Sequence, residues 1–169
     1  MLAYIDTGRE QVGLFFLRDL ADKLAQAGLC VRGAVRVEGG AARARQDMRL
    51  RVLGCATGGD IVISQDLGEH ASGCRLDPGA LESAAARTVA AIDGADLVIV
   101  NKFGKQEAFG RGMRSVIATA IERGLPVLTL VDAPQRDDFL GFAGDFAQIV
   151  TAAEAESWCK AAAQTVPAA

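Results

Sequence analysis

The sequence contains a single histidine, His70, and four widely spaced cysteines, Cys30, Cys55, Cys74 and Cys159. Zinc sites use closely spaced pairs of cysteine and histidine ligands, so this pattern argues against a zinc protein. At 169 residues the chain is long enough to bury a core without a disulfide or a metal to stabilise it. We therefore expect reduced thiols, no bound metal and no cofactor.

The sequence also lacks long apolar runs and an excess of positive charge. No segment approaches the roughly 20 apolar residues that a membrane-spanning helix needs. The N-terminus reaches an acid at Asp6 without the basic and apolar regions of a signal peptide. A net charge of -3 gives no general attraction to nucleic acid or to anionic membranes. We expect a cytoplasmic protein that binds neither, and any anion site must be local.

The first third of the chain shows the pattern of an α/β protein. Leu2 to Ile5 and Leu29 to Val37 are apolar segments that predict strands, and Leu14 to Gln26 has the apolar spacing of a helix. A strand, a helix and a second strand in this order predict a parallel sheet with a right-handed crossover. Alternating residues and a Gly-rich turn between Met48 and Ile63 predict an antiparallel hairpin at the margin.

The remainder of the chain continues the alternation. Asp77 and Pro78 begin a helix, Leu97 to Val100 and Val127 to Val131 predict inner strands, and a helix is expected over about Met113 to Arg123. We predict a three-layer α/β fold with a mainly parallel central sheet. Residues 1–160 are expected to form one domain, followed by a flexible tail at 161–169.

Ligands of open parallel sheets bind beyond the carboxyl ends of the strands. After the first strand, Gly8 and Gly13 have the spacing of the phosphate-binding P-loop, with Arg9 between them. Leu14 and Phe15 occupy the places of the P-loop lysine and its Ser or Thr. The segment is either a degenerate anion-binding loop or a plain strand-to-helix turn.

A second strand end, after Leu97 to Val100, is basic. Its sequence, NKFGKQEAFGRG at residues 101–112, would repel a divalent cation and attract an oxyanion. The predicted anion-binding residues are Asn101, Lys102, Gly104, Lys105, Arg111 and Arg114, with Ser72, Cys74 and Arg75 from a preceding loop. We expect the Lys105 ammonium to reach the crevice above the sheet. The alternative for the segment as a whole is a solvated basic loop without a ligand. Arg75 could instead form a surface ion pair. Glu107 is either an ion-pair partner of Lys105 or Arg111 or a catalytic base.

Several strings in the sequence resemble known families. LVIVNKFGKQE is similar to the second signature of the P-loop nucleoside-triphosphatase family known from thermophiles, but Asn101 and Lys102 replace its two acids. SQDLG, GCRLDPGAL and NKFGKQEAFGRG resemble an uncharacterised bacterial domain family related to it, whose members are often encoded beside molybdenum-transport genes. The resemblance implies a P-loop-type fold, degenerate at its phosphate site, and a link to molybdate.

Mg²⁺-dependent phosphoryl transfer needs oxygen ligands for the metal and a cation on the phosphates. Because the P-loop lysine, its Ser or Thr and both strand-end acids are absent, we expect a non-catalytic binding protein. Its ligand would be a small oxyanion (molybdate, tungstate or phosphate) or a phosphorylated metabolite. An altered nucleoside triphosphatase or phosphotransferase, with Glu107 or Asp6 as the carboxylate, is the alternative. A third hypothesis is a homo-oligomeric or transporter-linked partner without a small ligand.

Overall fold

A computed structural model describes residues 1–39, 47–54, 59–65 and 75–166. Cys55 and the loop residues His70, Ser72 and Cys74 lie outside these ranges, so the predictions made for them have no structural counterpart here. In the described part of the chain, no helix is both long enough and apolar enough to cross a membrane.

The described strands and helices follow one another in the alternating order that the sequence predicts. The strands are β1 (Leu2–Asp6), β2 (Val31–Val37), β3 (Arg49–Leu53), β4 (Ile61–Val62), β5 (Leu97–Phe103), β6 (Val127–Val131) and β7 (Ala147–Ile149). The helices are α1 (Phe16–Gln26), α2 (Pro78–Ala90), α3 (Lys105–Ala108), α4 (Arg114–Glu122), α5 (Arg136–Ala143) and α6 (Ala152–Ala163).

The strands form one sheet in the order β4-β3-β2-β5-β6-β1-β7. The five strands from β2 to β7 in this order are parallel, and β3 and β4 add an antiparallel pair at the margin. β1, β5 and β6 are inner strands, as predicted, because their near-continuous apolar sequence suits burial on both faces. The predicted fold class is therefore confirmed.

Helices cover both faces of the sheet and make the fold three layers deep. On one face, Leu17 and Leu24 of α1 and Cys159 of α6 pack against Ile5 and Ile99 of the sheet. On the other face α2, α4 and α5 pack against alternate residues of the same strands. The two faces separate because successive side chains of a strand point to opposite sides.

The predicted helix start at α2 is confirmed in detail. Asp77 is the N-cap, and its Oδ1 accepts hydrogen bonds from the N–H groups of Gly79 at 2.9 Å and Ala80 at 3.1 Å. Pro78 occupies the first helical position, where a missing N–H has no cost. The helix therefore begins where local sequence chemistry places it.

Two predicted boundaries are wrong. β5 does not end at Val100 but continues to Phe103, with a shift of register against β6 between these two residues. Phe103 is fully buried and its ring lies 5.2 Å from that of Phe139, so core packing extends the strand. α6 continues to Ala163, whose side chain is buried, so a tail beginning at 161 starts too early.

Candidate functional site

A crevice of about 360 Å³ opens at the carboxyl ends of β1, β2, β5 and β6, beside the loop that joins β1 to α1. This is the edge of an open parallel sheet at which ligands bind. The crevice is lined by Thr7, Glu10, Gln11, Val12, Gly13, Leu14, Arg36, Asn101, Lys102, Leu130 and Asp132. It therefore contains three of the residues that the sequence predicts, Gly13, Asn101 and Lys102.

In the loop after β1, the first backbone N–H groups donate hydrogen bonds to the protein itself. The N–H of Gly8 donates to Oδ1 of Asp6 at 2.9 Å, and those of Arg9 and Glu10 donate to the Asp6 carbonyl oxygen. A Cβ on Gly8 would lie 2.6 Å from that of Ala133, so close packing accounts for this glycine. Gly8 and Arg9 therefore form a strand-to-helix turn, and their amides do not face the crevice as P-loop amides face a phosphate.

Asp6 is a buried carboxylate with all its partners nearby. Its side chain is 1% exposed and accepts two hydrogen bonds from the Arg136 guanidinium, at 2.5 and 2.8 Å. Arg9 lies 3.3 Å away as a second cation. The hydrogen bonds from Arg136 are the main reason that the pKa of Asp6 lies below its usual value. Asp6 is therefore ionised and fully engaged in structural contacts.

Lys102 is balanced by an acid from the neighbouring strand. Its ammonium forms an ion pair with Asp132, which follows β6, and the hydroxyl of Thr7 donates to the same carboxylate at 3.2 Å. The sequence predicts a net positive charge at the end of β5, but the pair makes this side of the crevice neutral. The sequence gives no sign of this pair, because Asp132 is distant from Lys102 in the chain and only the pairing of β5 with β6 brings them together.

Arg36, which the sequence analysis does not select, is the second cation of the crevice. Its backbone N–H donates to Oδ1 of Asn101 at 3.0 Å, which ties the ends of β2 and β5 together. The half-buried guanidinium makes no hydrogen bond or ion pair with other residues that the structure describes. Its position at the carboxyl end of a parallel strand is the signal that could have found it.

The remaining predicted cations do not line the crevice. Lys105 is exposed, with Nζ 6.0 Å from the ring centroid of Phe109. The guanidinium of Arg114 lies 4.3 Å from the ring centroid of Phe142, on the face covered by α5. Arg111 is exposed at the surface. The structure thus separates these side chains from Asn101 and Lys102, and the predicted convergence does not occur.

Arg75 also lies away from the crevice. It is exposed just before the isolated bridge between Ser64 and Leu76, and its carbonyl oxygen accepts the N–H of Gln65 at 2.7 Å. With Ser72 and Cys74 outside the described residues, the predicted contribution of this loop to an anion site stays a prediction.

Glu107 holds together residues 104–113, which we call the clamped loop. Its carboxylate accepts the N–H groups of Gly104 at 2.9 Å and Met113 at 3.0 Å, and the residue is only 5% exposed. Burial raises the pKa of Glu107. Both predicted roles differ from this arrangement, since the carboxylate is bound to backbone amides rather than to Lys105 or Arg111 and does not face the crevice.

Gly112 shows why the clamped loop needs glycine. Its φ of +58° lies in the left-handed region that L side chains rarely adopt, and a Cβ there would lie 2.5 Å from Oε1 of Glu107. Its N–H donates to Oε1 of Glu82 on α2 at 2.5 Å. The last glycine of the motif is therefore explained by backbone geometry.

Metal chemistry finds little support in the described residues. Among them, no three His, Cys, Asp or Glu side chains are placed so that they could hold a metal ion. Besides Asp132, the crevice contains the carboxylate of Glu10, which accepts the N–H of Ala152 at the start of α6, at 3.0 and 3.2 Å. What the crevice offers a ligand is a guanidinium without a partner among the described residues, an ammonium shared with Asp132, and neutral amide and hydroxyl groups.

Comparison with known proteins assigns the family. A family model described as "Protein of unknown function (DUF2478)" matches residues 2–158. This chain belongs to the DUF2478 family. The predicted membership of an uncharacterised domain family is thus confirmed.

A curated relative is 37% identical over 131 residues: the "Molybdenum import ATP-binding protein ModC 2" of Bradyrhizobium diazoefficiens. The match covers 76% of this chain but only 14% of the length of that relative. The crystal structure of THEP1 from the hyperthermophile Aquifex aeolicus has a TM-score of 0.62 with 14% identity, covering 99% of each chain. At that identity the similarity establishes the fold, which is that of a P-loop protein.

Proposed function

We propose that this chain is a non-catalytic binding protein for a small oxyanion or a phosphorylated metabolite, which it binds directly in the crevice. The observation that supports this most strongly is that each carboxylate at the crevice and the adjoining end of β1 already has a partner. Arg136 binds Asp6, the Ala152 amide binds Glu10, and Lys102 binds Asp132. The cation Arg36 has no such partner among the described residues.

The charge arrangement favours an anion over a metal–nucleotide complex. Mg²⁺ in phosphoryl-transfer sites is held by carboxylate and hydroxyl oxygens, and the transferred phosphate needs a nearby cation. Leu14 and Phe15 supply neither a hydroxyl nor a charge at the corresponding positions. A free guanidinium in a partly closed crevice binds oxyanions by charge-assisted hydrogen bonds.

The named relative supports a connection with molybdenum. By its name that protein binds ATP and takes part in molybdenum import, and a segment of it is similar to most of this chain. We therefore include molybdate and tungstate among the expected oxyanions, together with phosphate. A contact with a transporter component is part of the same proposal.

Two measurements test this function. Thermal unfolding with molybdate, tungstate, phosphate and ATP, each with and without Mg²⁺, should show stabilisation by at least one anion that does not require the metal. Phosphate release from Mg-ATP should be negligible. If neither these anions nor a phosphate monoester stabilises the protein, the proposed function is wrong.

The second candidate is an altered nucleoside triphosphatase, which the P-loop fold and the ATP-binding name of the relative favour. Asp132 is the carboxylate that could approach a metal, if Lys102 moved away from it. Turnover of about 1 per second or faster, abolished by Asp132→Asn, would establish this alternative and exclude a purely binding role.

A further inference from the structure

A second cavity of about 410 Å³ adjoins the crevice. It is lined by Leu14, Phe15, Arg36, Val37, Glu38, Gly39 and Asp47. Leu14 and Arg36 line both cavities, so the two spaces meet at these side chains. A ligand larger than one cavity could extend from the first into the second past this pair.

The two shared residues have different chemistry. Arg36 offers a guanidinium with five N–H donors, which matches the oxygens of a phosphate group. Leu14 is 58% exposed, although it is a large apolar side chain at the junction of two cavities. Phe15 lies beside it in the second cavity. The junction therefore combines an anion-binding group with an apolar surface.

The size of the cavities favours a ligand larger than a bare oxyanion. A water molecule takes about 30 Å³, so a tetrahedral anion with four oxygens takes on the order of 100 Å³. Each cavity is several times larger than this. Pockets that hold organic ligands have volumes of roughly 300–1,000 Å³ and combine apolar walls with a few polar groups.

We propose that the ligand is a phosphorylated organic molecule rather than a bare oxyanion. Arg36 binds its phosphate at the junction, with Asn101 and Lys102 on the crevice side. The organic part covers Leu14 and lies in the second cavity against Phe15. This inference rests on the proposed function and narrows it from anions in general to phosphate monoesters.

The preference for an organic phosphate is tested by calorimetric titration of the whole chain. Inorganic phosphate and molybdate are compared with phenyl phosphate, glucose 6-phosphate and adenosine monophosphate. At least one organic phosphate should bind about tenfold or more tightly than inorganic phosphate, because it adds apolar contact with Leu14. If every organic phosphate binds no more tightly than inorganic phosphate, this inference is overturned.

The role of Arg36 is tested with Arg36→Gln, which should weaken binding of the best organic phosphate about tenfold to a hundredfold. Arg36→Lys keeps the positive charge but not the planar guanidinium, so it should cause an intermediate loss of affinity. This variant also tests the role of Arg36 if the glutamine variant does not fold. Arg87→Gln, which removes an exposed arginine of α2, is the matched control and should bind as the wild type does. If the wild type and the three variants bind the organic phosphate equally well, Arg36 is not part of the binding site.

The substitution Leu14→Ser tests the contact with the organic part of the ligand separately from the contact with its phosphate. It should weaken binding of the organic phosphate several-fold and leave inorganic phosphate unchanged, because only the former contacts the apolar side chain. Since Leu14 is exposed, the folded state should lose little stability. An equal loss for both ligands would contradict the two-part site.

The outcomes distinguish the two proposals. If the wild-type chain binds none of the five probes, the proposed anion-binding function fails and this inference fails with it. If the wild type binds inorganic phosphate or molybdate as well as any organic phosphate and Arg36→Gln changes nothing, only this inference fails.

Discussion

The crevice and the clamped loop both contain basic side chains, but they differ in how their charges are paired. In the crevice the polar side chains face open space, and Arg36 has no partner among the described residues. In the clamped loop the key charge, Glu107, is buried and bound to two backbone amides. The loop is thus a structural element, whereas the crevice leaves a cation without a partner among the described residues.

The comparison shows that a run of cations does not by itself define an anion site. Lys105 and Arg114 have aromatic rings as neighbours, and Lys102 has an acid. An anion site needs a cation that is not already paired, since binding then replaces water rather than an existing ion pair. Substitutions should therefore affect stability in the clamped loop and ligand binding in the crevice.

The largest expected effect on stability comes from removing the Glu107 carboxylate, which holds the clamped loop together. Glu107→Ala leaves the buried N–H groups of Gly104 and Met113 without acceptors, which should lower the free energy of unfolding by roughly 3–5 kcal/mol. Denaturant unfolding measures it, with Glu122→Ala on the exposed side of α4 as the control. A loss below about 1 kcal/mol, within the range of ordinary surface substitutions, would mean that the carboxylate does not hold the loop.

Gly112→Ala should be the next most damaging change. The left-handed backbone is strained for alanine, and its Cβ would approach Oε1 of Glu107, so we expect a loss of roughly 3 kcal/mol. Gly141→Ala in α5 is the matched control, because no atom lies within 4 Å of its added Cβ and helix propensity favours alanine. If both variants have the same stability as the wild type, the geometry of the clamped loop is not required.

A paired lysine comparison tests the crevice. Lys102→Ala leaves Asp132 unpaired beside the bound anion and should weaken binding about tenfold, roughly 1.4 kcal/mol. The sequence alone predicts a loss at Lys105 as well, but the structure places that side chain outside the crevice, so Lys105→Ala should bind normally. Titration of both variants with an anion that binds the wild type tests this, and a loss at both lysines would restore the sequence-based interpretation.

The smallest expected effects are on the pH dependence of stability, and they have opposite signs for Asp6 at the end of β1 and Glu107 in the clamped loop. Since contacts with Arg136 lower the pKa of Asp6, its contribution to stability is present above its ordinary value of 3.8 and is lost as the pH falls below that value. Burial raises the pKa of Glu107, so stability should increase as the pH falls from neutrality toward its ordinary value of 4.5. Unfolding measured across this range should show both trends.

Two variants assign the trends to their residues. Glu107→Gln should remove the gain in stability that accompanies a fall in pH from neutrality to 4.5. Asp6→Asn should reduce the loss of stability below pH 3.8. Each variant should be less stable than the wild type overall. Glu122→Gln provides a control for the removal of an exposed carboxylate. Unchanged pH profiles in both variants would show that other groups produce the dependence.

Local patterns in the sequence determined much of the architecture. The apolar segments of β1, β5 and β6, the helical spacing in α1 and the Asp77 cap of α2 depend on residues within a few positions of one another. These interactions are set by the period of the strand or helix and by the nearest backbone amides. For the same reason the hairpin of β3 and β4 could be predicted without any knowledge of the rest of the sheet.

Only the tertiary structure decided which charges are paired. Asp6 and Arg136 are 130 positions apart, and Lys102 meets Asp132 because β5 and β6 are neighbours in the sheet. Arg36 makes no hydrogen bond or ion pair with the other described residues, although Glu38 and Asp47 line the second cavity with it. A charge has the same sign wherever it lies in the sequence, but its chemical availability depends on neighbours that strand order and packing supply.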